Sequence, residues 1–372
     1  MNSLRIGDWS PDLSDLHPLS GRLRLQGAGV HPDTLNAEAR LQLRMPGWDQ
    51  WRLDTLNVHA GLTPASGRIR VWGDGPSGRL DADVSLGRPF TGAPFDAALR
   101  LKHVNPGFVL QDSLQSDITG ELRASGQLGN LQHLILDASV FIDSSIIYNT
   151  PVDTILADLK LRDGTITVPR LSVRSPALAL EAEAAGTPDS LSQAEFTLRP
   201  REIRQLPFAF ADTSTHINGR IRGNLSGPWQ ALALNADLQL NAELYNTSID
   251  SLGGRVSGRL GPQPDADFDL GIRKAGVSGM TVSDVRFSGQ LRHDSLASQL
   301  QLSYQDTNRL QLQSTFVMDS LYHLNVSQLV FVNRGRTWSN PAPLSASWNT
   351  QRAAVDSLLL TSDGQKIRLH GI

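Results

Sequence analysis

The stretch Leu232-Ala233-Leu234-Asn235-Ala236-Asp237-Leu238-Gln239-Leu240-Asn241-Ala242-Glu243-Leu244 decides the fold. Every even position is apolar, and all but one of the odd positions are polar. A period of two over this length specifies a β-strand with one greasy and one wet face. At roughly 3.3 Å per residue the strand is about 40 Å long. A sheet of such strands has one apolar side that something must cover.

The same alternation returns elsewhere in the chain. Leu35, Ala37, Ala39, Leu41, Leu43 and Met45 alternate with Asn36, Glu38, Arg40, Gln42 and Arg44. Leu134, Leu136, Ala138, Val140 and Ile142 repeat it, and Leu300, Leu302, Leu310 and Leu312 carry it further on. Shorter alternating pairs, Leu159/Leu161, Ile166/Val168, Leu171/Val173 and Leu178/Leu180, are separated by turn residues such as Asp163-Gly164 and Ser175-Pro176. Asp-Gly between alternating runs is a hairpin signal. The expectation is a meander of antiparallel strands, roughly twenty in all.

The alternating runs are also periodic at long range. Ser20-Gly21-Arg22-Leu23-Arg24-Leu25 returns as Thr119-Gly120-Glu121-Leu122-Arg123 and as Asn218-Gly219-Arg220-Ile221-Arg222, with the glycines every 99 residues. Leu35 and Leu134 are also 99 apart, whereas Leu232 lies 98 beyond Leu134. Tyr148-Asn149-Thr150-Pro151-Val152-Asp153 is echoed by Tyr245-Asn246-Thr247-Ser248-Ile249-Asp250. Self-similarity of this kind marks stacked units that bury apolar surface against their neighbours. It divides the chain into approximate modules 1–98, 99–196, 197–295 and 296–372. Helix is scarce: Pro200–Leu206, stopped by Pro207, and Asn105–Leu110 are the short candidates, one ahead of each later glycine signature.

Composition narrows the function. Lys and Arg total 34 against 37 Asp and Glu, and no basic tail or stripe points to nucleic acid. There is no cysteine, hence no disulfide or thiolate site. No apolar run is long enough to cross a bilayer, and Met1-Asn2-Ser3-Leu4 lacks the features of a signal peptide. Both ends read as cut, so the expectation is a segment of a longer protein.

Motifs with chemical potential have plainer readings. Gly73-Asp74-Gly75-Pro76-Ser77-Gly78 fits GxGxxG, but a dinucleotide fingerprint must open a helix, and Arg79–Val84 alternates as a strand. Asp265, Asp267 and Asp269 would share one strand face and could attract a cation, yet they lack a calcium loop's turn and carbonyl ligands. The nine histidines are dispersed without zinc spacing, with His216 and His323 in strand-like stretches, and no Gly-x-Ser-x-Gly elbow occurs. No catalytic residue, metal site or cofactor is assigned. Trp48 and Trp51 with Trp72, and Trp338 with Trp348, read as aromatic contacts or as plugs at sheet ends.

The glycine-led strand, long alternating strand and Asp-marked restart resemble the repeat grammar of the AsmA/TamB-like superfamily over nearly the whole chain. The final quarter is most similar to the TamB type: Val330-Phe331-Val332-Asn333-Arg334-Gly335-Arg336-Thr337-Trp338, then Pro341 and Pro343, Val355–Leu360, and Ile367-Arg368-Leu369-His370-Gly371. The resemblance implies an all-β, elongated, mostly antiparallel β-taco, a U-shaped open sheet with an apolar inner groove and few short helices. It also implies anchorage in the inner membrane of a double-membraned bacterium and a place in the periplasm. The activity implied is movement of phospholipid toward the outer membrane, with an outer-membrane barrel assembly factor of the TamA type as partner. On this resemblance the family's N-terminal membrane helix is expected to lie outside this segment.

Residues alone favour a closed core for the alternating leucines, and the resemblance favours an open groove. In the groove reading its lining is Leu35, Leu41, Leu43, Leu134, Leu136, Val140, Ile142, Leu159, Leu161, Leu171, Val173, Leu232, Leu234, Leu238, Leu240, Leu244, Leu300, Leu302, Leu310 and Leu312. A periplasmic scaffold that aids outer-membrane protein assembly, or donates an edge strand to a client, is the alternative.

Overall fold

The computed structural model describes residues 20–31, 33–44, 54–89, 93–105, 116–128, 134–147, 149–202, 216–244, 247–262, 264–277, 280–305, 307–318, 321–349 and 353–371. These residues form strands and connections, and no helix occurs among them. The chain divides into two units, one over Met1–Pro188 and a second that starts at Asp189.

The first unit holds β1 (Ser20–Ala28), β2 (Asn36–Arg44), β3 (Thr55–Leu62), β4 (Ser66–Gly75), β5 (Gly78–Gly87), β6 (Pro94–Val104), β7 (Ile118–Gln127), β8 (Ile135–Ile147), β9 (Thr150–Arg162), β10 (Thr165–Arg174) and β11 (Leu178–Gly186). Each strand pairs antiparallel with the next, from β1 on β2 to β10 on β11. The ladder does not close on itself among the described residues, so the sheet is open. This is the all-β meander that the alternation specifies.

The second unit holds β12 (Ser190–Pro200), β13 (His216–Pro228), β14 (Leu232–Leu244), β15 (Thr247–Leu260), β16 (Asp265–Val277), β17 (Met280–Arg292), β18 (Ser295–Tyr304), β19 (Asn308–Met318), β20 (Tyr322–Asn333), β21 (Arg336–Ser339), β22 (Leu344–Trp348), β23 (Ala353–Ser362) and β24 (Gln365–Gly371). β12 to β20 again pair in sequence, all antiparallel. β21 and β22 then share one row of the ladder, both lying between β20 and β23. The gap between them is Asn340-Pro341-Ala342-Pro343, where the prolines have no N–H to give a ladder.

Local chemistry accounts for these elements. β14 has the bounds that its alternation dictates. Asp163 and Gly164 both have positive φ, 48° and 72°, as a two-residue turn matching the twist of β9 and β10 requires. Gly75 ends β4 and Gly78 begins β5, so the GxGxxG stretch is a hairpin turn. Thr150 and Thr247 start β9 and β15, as the paired Tyr-Asn-Thr echoes imply. Pro200 closes β12, and Arg201 and Glu202 are not helical; residues 203–206 of that helix candidate, and 106–110 of the other, lie outside the described residues. The few short helices expected are therefore absent from the described residues, which form 24 strands against the roughly twenty expected.

Candidate functional site

Directly opposed residues in an antiparallel ladder share a face, so register shows where each side chain belongs. In the first unit Leu41 opposes Leu23 on β1 and Val58 on β3, and Val58 opposes Val71 on β4. The row continues through Ala82, Leu99, Leu122, Val140, Ala157 and Leu171 to Ala182 on β11. A parallel row joins Leu43, Leu56, Gly73, Leu80, Leu101, Gly120, Ile142, Ile155, Val173 and Leu180. Leu136 and Leu161 oppose each other in a third. One side of this unit is thus apolar from its first strand to its last.

The second unit repeats the arrangement. Leu238 opposes Ile221 and Gly254, and Leu240 opposes Gly219 and Leu252. Leu232 and Leu234 oppose Leu260 and Gly258. Farther along, Leu300 opposes Leu312 and Leu302 opposes Leu310. Phe287 opposes Leu300, and Phe268 lies 5.0 Å, centroid to centroid, from Phe287. Phe316, Tyr322 and Trp348 stack at 5.5–5.9 Å on the same face. The apolar face also carries a hydrogen-bonded polar pair, Ser298 Oγ and Ser314 Oγ at 3.0 Å.

Bulges hold the apolar side chains together where the sequence changes parity. Ile166 and Val168 are even, Leu171 and Val173 odd, and the register of β10 slips between Val168 and Leu171. In β15 the extra residue, Ser251 at φ 59°, lets Ile249 and Leu252 face the same side. An inserted residue of this kind re-aims the strand without ending the pairing.

The residues named for the lining share the apolar side of their unit, with three qualifications. Leu35 and Leu134 are half-buried but precede β2 and β8. Leu244 ends β14, and its side chain lies outside the described residues. The sequence reading missed Leu23, Leu25, Val58, Val71, Leu99, Phe268 and Phe287, although the same alternation marks them, because glycines and serines interrupt it. Trp72 belongs to the polar side, with the Arg70 guanidinium 5.6 Å over its ring. Trp338 opposes Phe331 on the apolar side, while Trp48 and Trp51 lie outside the described residues.

Among the described residues no leucine of the first unit's apolar face is buried; they are half-buried or exposed, with Leu23 60% and Leu25 68% exposed. A depression of about 390 Å³ lies on this face, between Leu25, Leu62, Ile69 and Leu86 over Ala37, Ala39 and Ala60. A closed core, which the residues alone favoured, would bury such leucines.

The opposite face is laced with ion pairs between neighbouring strands. Arg68 pairs with Asp83 at 2.6 Å, Arg70 with Asp81 at 3.2 Å, and Arg100 with Glu121 at 3.1 Å. In the second unit Arg255 pairs with Asp237, Arg259 with Asp265 and Arg292 with Asp267. Arginine hydrogen bonds hold the carboxyls of Glu121, Asp83 and Asp265 below their ordinary range. Asp265 and Asp267 thus have arginine counter-ions. A shallow depression of about 860 Å³ also lies on this side in the first unit, rimmed by Asp83, Asp96, Arg123, Asp137 and Lys160. Among the described residues there is no cluster of three potential metal ligands, and no helix long and apolar enough to cross a membrane. No protein-family model, no curated protein and no solved structure matches the chain.

Proposed function

We propose that the apolar face binds the acyl chains of lipid, phospholipid above all, and conducts them along the sheet. The observation that carries this reading is the unbroken apolar register from β1 to β11, with leucines left half-exposed along it. Large exposed apolar surface on a folded protein marks a binding surface. Moving an acyl chain of about sixteen methylenes into water costs on the order of 13 kcal/mol, at ~0.8 kcal/mol per methylene. A face that repeats its apolar side chains at each strand, about 4.8 Å apart, keeps successive positions nearly equal in energy. A chain can then slide while its headgroup stays in water. No catalytic group is required.

The resemblance to the AsmA/TamB-like superfamily extends the proposal to cellular context. The chain then belongs to an inner-membrane-anchored bridge in the periplasm of a double-membraned bacterium, with a TamA-like barrel assembly factor as partner. The test is photocrosslinking in cells that make the protein, with the reactive amino acid at Leu238 or, separately, at Gln239. Leu238 lies on the apolar row and Gln239 is exposed on the polar side. Phospholipid adducts at Leu238 and none at Gln239 are expected. Protein-only adducts at Leu238 would instead support the scaffold reading.

A further inference from the structure

The polar side of the second unit changes character after β17. β18 has no charged residue, β19 has only Arg309, and β20 has His323 but no acid, lysine or arginine. Glutamines stand where ion pairs stand elsewhere: Gln299 opposes Gln313, Gln313 opposes Gln328, and Gln301 opposes Gln311. An open depression of about 610 Å³ lies where these amides begin, a size that suits a small ligand. Its walls include Asp269, Ser288, Gln290, Gln299, Gln313 and Thr315, over a floor at Gly289 and Ala297. No side chain longer than a methyl rises from that floor. The strands around it, β15 to β20, are joined by only two to four residues each, too few to fold over it.

The polar groups of these walls have hydrogen-bonding capacity to spare. Among the described residues, the six wall side chains make no hydrogen bond or ion pair. The first unit's polar depression differs: there Asp83 is held by Arg68, Asp137 by Arg162 and Arg123 by Glu121. Arg255, at the edge of the second depression, opposes Asp269 but is bonded to Asp237 at 3.1 Å. Asp269, Ser288, Gln299 and Gln313 oppose one another in turn on β16 to β19, about 4.8 Å apart from strand to strand. An amide offers one acceptor and two donors, a hydroxyl both roles, and a carboxylate acceptors alone. The row is therefore a file of mixed donors and acceptors with a single charge at its end.

We infer that this depression binds a neutral glycan, laid across the strands with its hydroxyls against the row. Each sugar hydroxyl both donates and accepts, as the amides do, and the Asp269 carboxylate accepts from hydroxyls while repelling an anionic polymer. A polypeptide fits less well, because its charged and apolar side chains have no counterpart in these walls. The occupant is a water-soluble glycan and not the sugar of a glycolipid. The depression lies on the side of the sheet opposite the apolar face, where attached acyl chains would be left in water. The site stands whether or not the apolar face carries lipid.

The test titrates the full 372-residue chain with cellohexaose, maltohexaose and chitohexaose, read by saturation-transfer NMR on the sugar protons. At least one of the three is expected to bind, with an affinity that salt does not change, since no charge on the ligand is screened. Gln299→Ala with Gln313→Ala should weaken that affinity at least about tenfold. Gln42→Ala, on the polar side of the first unit, should leave it unchanged. Gln313 is exposed and Gln299 half-buried, and circular dichroism verifies that the double variant folds. No transfer to any of the three sugars would overturn the site, as would an unchanged affinity in the double variant. Tighter binding of dextran sulfate than of the neutral sugars would mean that charge, not hydroxyl chemistry, is recognised. Displacement of the sugar by a serine–glutamine peptide of equal length would make the depression a peptide groove, and capture of glycolipid micelles without the free sugar would make it a lipid contact; either result overturns the inference.

Discussion

Asn340 Oδ1 accepts the Leu329 backbone N–H at 2.6 Å, and the Asn340 N–H donates back to the Leu329 carbonyl at 3.2 Å. This side chain stands where the ladder is broken. The Asn340 amide also donates to Ala342 O at 2.9 Å and to Ser327 O at 3.3 Å. It gives β20 the partners that a continuous strand would have supplied between β21 and β22. Asn340→Ala is expected to cost about 1–3 kcal/mol, because it leaves polar backbone unpaired. Hydrogen exchange should accelerate at the Leu329 amide and little at Leu238. Unchanged exchange at Leu329 would remove the bridging role.

Phe268 lies against Gly289, its directly opposed residue on β17. A Cβ at position 289 would stand 2.5 Å from Ala297 O and 2.6 Å from Phe268 Cζ. The ring covers the bare glycine as aromatic residues do in designed sheets. Gly289→Ala is expected to destabilise the protein by about 1–3 kcal/mol. In a Phe268→Ala background the penalty should shrink, since the ring clash is gone, but persist because the carbonyl clash remains. Equal penalties in both backgrounds, measured by urea unfolding, would place the strain wholly on the backbone.

These two contacts also show what was legible in the sequence. Alternation alone gave β14 its bounds and put Leu238, Leu240, Leu300 and Leu312 on the apolar side, because a period of two leaves little choice of face. It could not reveal that Asn340 bridges an interrupted row, since that depends on which strands the two prolines separate. Nor could it show that Phe268 shields Gly289, which is 21 residues away and meets it only through register. Leu23 and Leu25 escaped the lining because Gly21 and Gly27 confine their alternation to a short run.

Acid should weaken the polar face in a defined direction. Glu121 is held below its ordinary 4.5 chiefly by the Arg123 hydrogen bond and next by Arg100, and Asp83 below 3.8 chiefly by Arg68. A depressed folded pKa stabilises fully above the ordinary value and is lost as pH falls through the folded one. Glu121→Gln is therefore expected to lower the melting temperature at pH 7, with the difference from the parent closing below pH 4.5. A difference that stayed constant down to pH 3 would show the pair to be energetically idle, as exposed ion pairs often are.

Ser362 offers a change in the opposite direction. It is 5% exposed, and among the described residues its Oγ has no hydrogen-bond partner. A buried hydroxyl without a partner loses its hydration with nothing in return. Ser362→Ala is expected to stabilise the second unit by about 1 kcal/mol. A fall in the urea midpoint would show that the hydroxyl's packing outweighs its desolvation.

The apolar face itself is tested by placing one charge on either side of the same strand. Leu238 sits between Ile221 and Gly254, whereas Gln239 points to the exposed side. Leu238→Asp puts a carboxylate in the path of any sliding acyl chain, which must then desolvate it or leave the face. Phospholipid adducts at neighbouring apolar positions such as Leu300 should fall by about tenfold, a barrier increase near 1.4 kcal/mol. Gln239→Asp should leave them unchanged, because its charge stays in water. Since Leu238 is only half-buried, the strand tolerates the charge better than a closed core would, and circular dichroism of both variants should match the parent. Equal loss of adducts from both variants, with folding intact, would mean that lipid is not held by the apolar side.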